Sequence, residues 1–227
     1  DRFELLRSGI EVRRFRCSDS CAPLIALWQL VQTNPAEILT RYEVHWKAQK
    51  ERGSGVFYEV RESFNRTQDP REFFFLLRTC RNGLVRFNRK GQFNSLHNFD
   101  RQGIPPHEVQ ALLAEWHQVL KGRDVTFSVK DYRSVRTSGG DVLYLDPPYR
   151  VPNNRIYSGE IDFEQFFTWL ERQRGSYFLS LNGFVGGEDR RLAVPNRLYD
   201  QEVHLDAGIA PLRSKQSPKV TSTLYCK

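Results

Sequence analysis

The residues best suited to chemistry follow one short apolar run, Val142–Leu145, and they are Asp146, Pro147, Pro148 and Tyr149. An acid where a strand ends would lie at the carboxyl edge of a sheet, where α/β proteins bind ligands. Proline restricts the backbone and removes N–H donors, so this turn presents carbonyl oxygens. The Asp146 carboxylate and Pro147 carbonyl could hold an exocyclic amine while Tyr149 stacks on its ring. This arrangement suits methyl transfer onto an amino nitrogen; the alternative is a tight turn that only closes a buried strand.

The elements that would position this tetrapeptide alternate between strands and helices along the chain. Apolar residues at helical spacing predict helices, several of which begin with proline, a residue that suits the first turn. Short apolar runs predict strands. Strands that alternate with helices imply a largely parallel, doubly wound sheet. The predicted strands cover residues 9–16, 125–129, 142–145 and 177–181, and the predicted helices begin near Pro23, Pro35, Val56, Pro70 and Pro106, with a further helix over 162–174.

Residues 81–94 differ from their surroundings because they are basic, aromatic and rich in Asn and Gly. Segments 84–87 and 92–94 flank a turn at residues 88–91, which predicts a β-hairpin. A two-stranded ribbon fits the major groove of DNA, where arginine can read guanine and asparagine can read adenine. The alternative is a solvated hairpin whose charges only maintain solubility.

The composition narrows the class of protein without identifying it. The chain has 227 residues, 39% of them hydrophobic, and a formal net charge of +7. That charge is compatible with a polyanionic partner but is common among soluble proteins. No apolar run approaches the ~18 residues of a membrane span, and no signal peptide opens the chain. The four cysteines and five histidines show neither a disulfide framework nor zinc spacing, so we expect a cytoplasmic protein without metal or membrane contact.

Taken together, these segments resemble the Dam-like N6-adenine DNA methyltransferases, which use S-adenosylmethionine and flip the target adenine out of the duplex. The resemblance implies an α/β fold, a Rossmann-like S-adenosylmethionine-dependent methyltransferase sheet with a helical target-recognition insertion that bears a β-hairpin. The segments that carry it are DPPY at 146–149, RCSDSCAPLIALW at 16–28, FSVKDY at 127–132, residues 65–94, the strand at 177–182 and the closing strand at 221–226. The implied domains are the first part of the methyltransferase core at 1–32, the target-recognition domain at 33–122 with its hairpin at 82–94, and the catalytic part of the core at 123–227.

The resemblance also assigns roles to individual residues. Asp19 would hold the ribose hydroxyls of the cofactor, and Asp131 with Tyr132 would meet its adenine. The catalytic residues would be Asp146, Pro147, Pro148 and Tyr149, and the residues expected to bind double-stranded DNA are Arg81, Asn82, Leu84, Arg86, Asn88, Arg89 and Lys90.

Within that DNA-binding set, the resemblance separates base contacts from phosphate contacts. Asn82, Leu84 and Arg86 are expected to contact bases, whereas Arg89 and Lys90 at the turn are expected to touch phosphates. The implied target is a GATC-like site. We expect a monomer or weak dimer, bacterial or phage-encoded and associated with the nucleoid.

The sequence departs from the family in its first segment. Relatives begin with a Trp/Gly/Lys-containing segment and a Phe-x-Gly-x-Gly-type loop; neither is in this sequence, which also has no methionine. We therefore expect the working protein to be longer, with that loop preceding Asp1. Arg81 also stands where relatives often carry an aromatic wedge. Two alternatives stay open: the same chemistry on ribosomal RNA, and a non-catalytic DNA-binding relative.

Overall fold

The chain is a mixed α/β protein with two compact units, Asp1–Tyr132 and Arg133–Lys227. The computed structural model describes residues 12–99, 102–148, 161–209 and 219–227. Within those residues, no helix is both long and apolar enough to cross a membrane. The domain boundaries expected from the sequence stay a prediction.

Two parallel strands form the sheet of the first unit, β1 (Phe15–Asp19) and β2 (Val125–Val129). The prediction for β2 is confirmed, but the prediction that β1 ends three residues earlier, at Arg16, is wrong. Pairing with β2 continues β1 as far as Asp19, because the Lys130 N–H still donates to the Asp19 carbonyl at 3.1 Å. Asp19 is therefore the last residue of a strand rather than part of the turn that follows it.

The predicted start of this strand also differs from the structure. Of the predicted strand at 9–16, residues 9–11 lie outside the described residues, and residues 12–14 precede β1 without strand pairing.

In the described chain, five helices lie between β1 and β2, as their apolar spacing predicts. Proline stands in the first turn of four of them. The Asp69 carboxylate caps the fourth helix by accepting the Arg71 N–H at 2.8 Å. The helices are α1 (Ala22–Thr33), α2 (Pro35–Arg52), α3 (Gly55–Thr67), α4 (Pro70–Thr79) and α5 (Pro106–Leu120).

Side chains of α1 close the outer edge of β2. The Gln32 amide donates to the Val125 carbonyl at 2.9 Å, and the Gln29 amide donates to the Phe127 carbonyl at the same distance. The Trp28 ring stacks on Phe127 with centroids 5.9 Å apart. These bonds satisfy carbonyls that an edge strand would otherwise leave to solvent, so α1 is fixed against the sheet.

Aromatic side chains from α2, α3 and α4 form the core of the first unit. The rings of Phe64 and Phe73 stack with centroids 5.1 Å apart. The Tyr42 hydroxyl donates to the Ile104 carbonyl at 2.7 Å, which satisfies a buried polar group. The side chains of this core that are at most 1% exposed include Tyr42, Phe57, Phe64, Phe73, Phe75 and Phe93.

The stability of the protein should depend on pH through His45, which lies on α2 with its ring 5.3 Å from Phe75. Its Nε2 atom is buried without a hydrogen-bond partner in the described structure. Burial, and next the Arg41 cation, lower the pKa of His45 from 6.5 to about 4. Between these values only the unfolded chain takes up the proton. We therefore expect the free energy of unfolding to fall by about 1–2 kcal/mol as the pH drops from 6.5 to 4.

Urea unfolding at several pH values measures this loss. In a His45→Gln variant, whose side chain does not titrate, the pH dependence should become weaker. A smaller slope should remain, because burial also lowers the pKa of His97. An equal slope in the wild type and the variant would show that His45 is not its source.

The second unit holds a mixed sheet in the order β3-β4-β7-β6, with β5 paired to β4. β3 and β4 are parallel, whereas the three other pairings are antiparallel. The prediction of a largely parallel sheet is therefore wrong for this unit. Its elements are β3 (Val142–Leu145), α6 (Phe163–Leu170), β4 (Ser176–Val185), β5 (Glu188–Asp189), β6 (Gln201–Ile209) and β7 (Lys219–Cys226).

One expectation for this unit needs correction. The predicted helix at 162–174 is shorter, because Asp162 is its cap, accepting the Glu164 N–H at 3.0 Å, and helix α6 ends at Leu170. The predicted strand at 142–145 is confirmed as β3, and the side chains of Val142 and Tyr144 on one of its faces are 65% and 50% exposed.

Candidate functional site

Asp146 follows β3 directly, at the carboxyl end of the parallel pair that β3 forms with β4. This confirms the predicted strand end. Asp146 is exposed, Pro147 is buried and Pro148 is half-buried. Tyr149, the fourth residue of the tetrapeptide, lies outside the described residues. The acid is therefore accessible to a ligand, while the buried proline anchors the turn beside it.

A bulge interrupts β4 toward the same end of the parallel pair, between Asn182 and Val185. A Cβ atom on Gly183 would lie 2.5 Å from the Thr221 hydroxyl oxygen of β7, so only glycine fits there. The same hydroxyl accepts a hydrogen bond from the Phe184 N–H at 2.8 Å. Sequence reasoning missed this bulge, although a glycine within an apolar strand is a signal for one.

The acids predicted to bind a cofactor lie together at the carboxyl end of the β1–β2 pair. Asp19 ends β1 opposite Val129, and Asp131 lies just beyond the end of β2. The Oδ1 atom of Asp19 accepts the Cys21 N–H at 2.7 Å. Tyr132 begins a short 3-10 turn and is half-buried. The parallel pairing thus brings both acids to one edge of the sheet.

This edge of the first unit has acceptors that fit a nucleoside. Only the Oδ1 atom of Asp19 is used within the described structure, so its Oδ2 atom can accept a further hydrogen bond. A carboxylate that only accepts is suited to ribose hydroxyls, and α/β sheets bind nucleosides outside the carboxyl ends of their strands. Asp19 can therefore accept hydrogen bonds from ribose hydroxyls, whereas contact of Asp131 and Tyr132 with a cofactor stays a prediction.

Cysteine and histidine side chains form no metal centre in the part of the chain that the structure describes. No group of three or more His, Cys, Asp or Glu residues there could hold a metal ion. The four cysteines are free thiols, and burial raises the pKa of Cys80 to about 11. Because a thiol with so high a pKa stays protonated, Cys80 is a poor nucleophile.

Residues 80–97, called the basic loop below, connect α4 to the segment before α5. Cys80 pairs with His97 and Phe87 pairs with Phe93, each as an isolated antiparallel bridge. The Asn94 N–H donates to the Arg86 carbonyl at 2.9 Å. The chain thus folds back on itself at the predicted place, but with isolated bridges where a regular two-stranded ladder was expected.

Side chains of the basic loop alternate between the core and solvent. Val85 and Phe87 pack against the hydrophobic core, whereas Arg86 between them is exposed. The loop has four arginine and lysine residues and no acidic one, and all four are exposed without a salt-bridge partner among the described residues: Arg81, Arg86, Arg89 and Lys90. Unpaired cations at this density favour a polyanionic ligand.

Two asparagines predicted to bind DNA shape the backbone of the basic loop. Asn82 has a φ of 57°, a left-handed conformation that asparagine tolerates. The Asn88 side-chain oxygen accepts the N–H groups of Lys90 and Gln92 at 2.9 and 3.0 Å. Gly91, with a φ of 73°, completes this turn. Contact of either asparagine with DNA stays a prediction.

Asn65 on α3 clamps the basic loop to the helical core. Its amide donates to the Phe93 carbonyl at 3.0 Å and accepts the Phe93 N–H at 2.7 Å. Phe93 is 1% exposed, so these bonds satisfy both polar groups of a buried peptide segment. Sequence reasoning did not single out this role, because nothing local links residue 65 to residue 93.

An Asn65→Asp variant should unfold more easily by about 1–2 kcal/mol, because aspartate still accepts from the Phe93 N–H but cannot donate to the Phe93 carbonyl. Urea unfolding measures the change. The matched control is Asn94→Asp, at an exposed position of the same loop. Equal losses in the two variants would contradict the clamp.

Comparison with known proteins finds one family and several relatives. A family model described as D12 class N6 adenine-specific DNA methyltransferase matches residues 3–173. A DNA adenine methylase of Serratia marcescens is 36% identical over 102 residues, 42% of this chain and 36% of that protein. DNA adenine methylases of Salmonella typhi and Escherichia coli K12 are 29% and 28% identical over 143 residues, 60% of this chain and 49% of each protein. The chain thus spans about half the length, or less, of these relatives.

Proposed function

Because the chain belongs to the family of D12 class N6 adenine-specific DNA methyltransferases, we propose that it methylates N6 of a flipped-out adenine in double-stranded DNA. The observation that carries the proposal is the position of Asp146, an exposed residue beside a buried proline, at the carboxyl end of the parallel β3–β4 pair. An acceptor fixed at this edge of a sheet is placed to receive the amino group of a base.

The proposed role of Asp146 follows from the low nucleophilicity of the adenine amino group. The N6 lone pair of adenine is delocalised into the ring, so the free amine attacks poorly. The Asp146 carboxylate accepts one N–H and the Pro147 carbonyl accepts the other, which favours a tetrahedral nitrogen whose lone pair points at the methyl donor. Tyr149 stacks on the base. The reaction is a direct displacement and needs no nucleophile from the protein.

The proposed methyl donor is S-adenosylmethionine, which supplies an activated methyl group on its sulfonium when bound. Asp19 accepts hydrogen bonds from the ribose hydroxyls, and Asp131 with Tyr132 meets the adenine. The support for this assignment is the position of both acids at the carboxyl end of β1–β2. The corresponding fold is a Rossmann-like methyltransferase sheet with a target-recognition insertion at 33–122.

The basic loop is the proposed reader of duplex DNA. Asn82, Leu84 and Arg86 contact bases, whereas Arg89 and Lys90 at the turn contact phosphates. The exposed cations of the basic loop support this assignment, because the loop contains no acid. The Asn65 side chain also holds the loop to the helical core. We propose a GATC-like target for a monomer or weak dimer that acts in the cytoplasm of a bacterium, from a chromosomal or phage gene.

Sequencing of modified bases tests this function. The intact gene would be expressed in cells whose DNA carries no N6-methyladenine, beside an Asp146→Ala control. We expect N6-methyladenine at one short motif in the first culture and none in the second. Unmodified DNA together with newly methylated ribosomal RNA would overturn the proposal in favour of the RNA enzyme.

A further inference from the structure

We propose that Ser95 is a positioning residue that sets the register of the base-reading part of the basic loop, an inference that rests on the proposed function. Ser95 lies in the part of the basic loop that follows the turn at residues 88–91, and it is 3% exposed. Its Oγ atom accepts the Arg86 N–H at 2.9 Å and donates to the Leu84 carbonyl at 2.7 Å. One hydroxyl therefore holds the backbone of two residues that are proposed to contact bases.

No backbone group duplicates this contact in the described structure. Neither the Arg86 N–H nor the Leu84 carbonyl has a backbone hydrogen-bond partner there, since the nearest bridges join Cys80 to His97 and Phe87 to Phe93. The peptide group between Val85 and Arg86 therefore depends on Ser95, whereas the Arg86 carbonyl is held separately by the Asn94 N–H at 2.9 Å. Because the Arg86 side chain is exposed and long, a small rotation of that peptide group moves the guanidinium by a larger distance.

Ser95 is itself fixed to the helical core by its backbone. The Arg61 guanidinium on α3 donates to the Ser95 carbonyl at 3.1 Å and lies 4.8 Å from the Tyr58 ring centre. The Asn65 clamp holds Phe93, two residues earlier. A chain of contacts thus runs from α3 through Ser95 to the segment of the basic loop that contains Leu84 and Arg86. Removing the hydroxyl breaks the last contact and leaves the earlier ones in place.

This arrangement separates base reading from phosphate binding. Arg89 and Lys90 lie in the turn, whose hydrogen bonds come from Asn88 and not from Ser95. A Ser95→Ala variant should therefore keep its affinity for unrelated DNA, which depends on phosphate contacts. Its preference for the best site over single-base variants should fall about fivefold, because a misplaced arginine loses part of the discrimination that a well-placed contact supplies.

Selection from a random duplex library tests the proposal, because the library contains every short site and none has to be assumed. The wild-type protein, Ser95→Ala, and the pair Ser95→Thr and Ser95→Val would each be selected and sequenced. Thr and Val have the same shape but only Thr has a hydroxyl, so the pair shows whether the hydroxyl matters even if Ser95→Ala folds poorly. The control is Ser63→Ala on α3, which loses a 2.9 Å hydrogen bond to Glu72 of α4 and not a hydrogen bond to the basic loop.

We expect the wild type, Ser63→Ala and Ser95→Thr to share one preferred motif, and Ser95→Ala and Ser95→Val to enrich it about fivefold less. Amide exchange at Arg86 should be faster in the Ala and Val variants only. Equal enrichment by Thr and Val, or unchanged enrichment by Ala, would overturn the role of Ser95. No motif with any protein, the wild type included, would instead overturn the proposed function and this inference with it.

Discussion

An Asp146→Ala variant should lose at least about 10²–10³-fold in the rate of methyl transfer, while its affinity for duplex DNA changes little. The carboxylate is proposed to hold the amino group only as it becomes nucleophilic, so its removal affects the transition state. DNA affinity should persist because the exposed cations of the basic loop are untouched. Incorporation of labelled methyl groups and titration of a fluorescent duplex measure the two quantities on the intact protein.

Asp141→Ala provides the matched control for this experiment. Asp141 stands at the opposite end of β3, where its carboxylate accepts the Ser138 N–H at 2.8 Å. Removing it should loosen that turn and leave the rate of transfer per folded molecule nearly unchanged. Asp146→Asn should fall between wild type and alanine, since the amide keeps an acceptor oxygen but lacks the charge. Undiminished methyl incorporation by Asp146→Ala would sink the catalytic assignment.

An Arg86→Ala variant should lose about 1–3 kcal/mol of discrimination between the preferred duplex and single-base variants, a factor of roughly 5 to 150 in relative affinity. Arg86 is exposed to solvent, whereas its neighbours Val85 and Phe87 pack against the hydrophobic core. Binding measured on preferred and altered duplexes at several salt concentrations gives both the discrimination and the salt slope.

Lys90→Ala is the matched control, because it removes one exposed cation from the turn of the same loop. We expect it to weaken binding to all duplexes about equally and to reduce the salt slope by about one unit. If Arg86→Ala also weakened binding to all duplexes equally, Arg86 would contact a phosphate, and the residues that read the bases would have to lie elsewhere in the chain.

Local signals in the sequence predicted most of the helices and the strand end that carries Asp146. Proline in the first turn and the Asp69 cap act within a few residues, so they set where helices begin whatever surrounds them. Strands were harder to predict. β6 (Gln201–Ile209), which pairs with β7 (Lys219–Cys226), was missed although residues 203–209 alternate between apolar and polar or glycine residues, the pattern that predicts a strand.

The candidate site was likewise predictable from the sequence only in part. The residue types at 146–149, and the basic character of residues 81–94, indicated the chemistry and its polyanionic partner because these properties belong to the side chains themselves. The sequence also identified Asp19 and Asp131 as acids near strand ends. It could not show that β1 and β2 bring them to one edge, since that depends on pairing between strands more than a hundred residues apart in the chain.

The sequence by itself thus determined the candidate reactive residues, the helix starts and the family to which the chain belongs. The tertiary structure alone decided the extension of β1 to Asp19, the bulge that Gly183 permits and the contacts of Asn65 and Ser95 within the basic loop. The physical reason is that a polar group needs a partner wherever it is buried. The sequence shows which groups need partners, and only packing shows which distant residue supplies one.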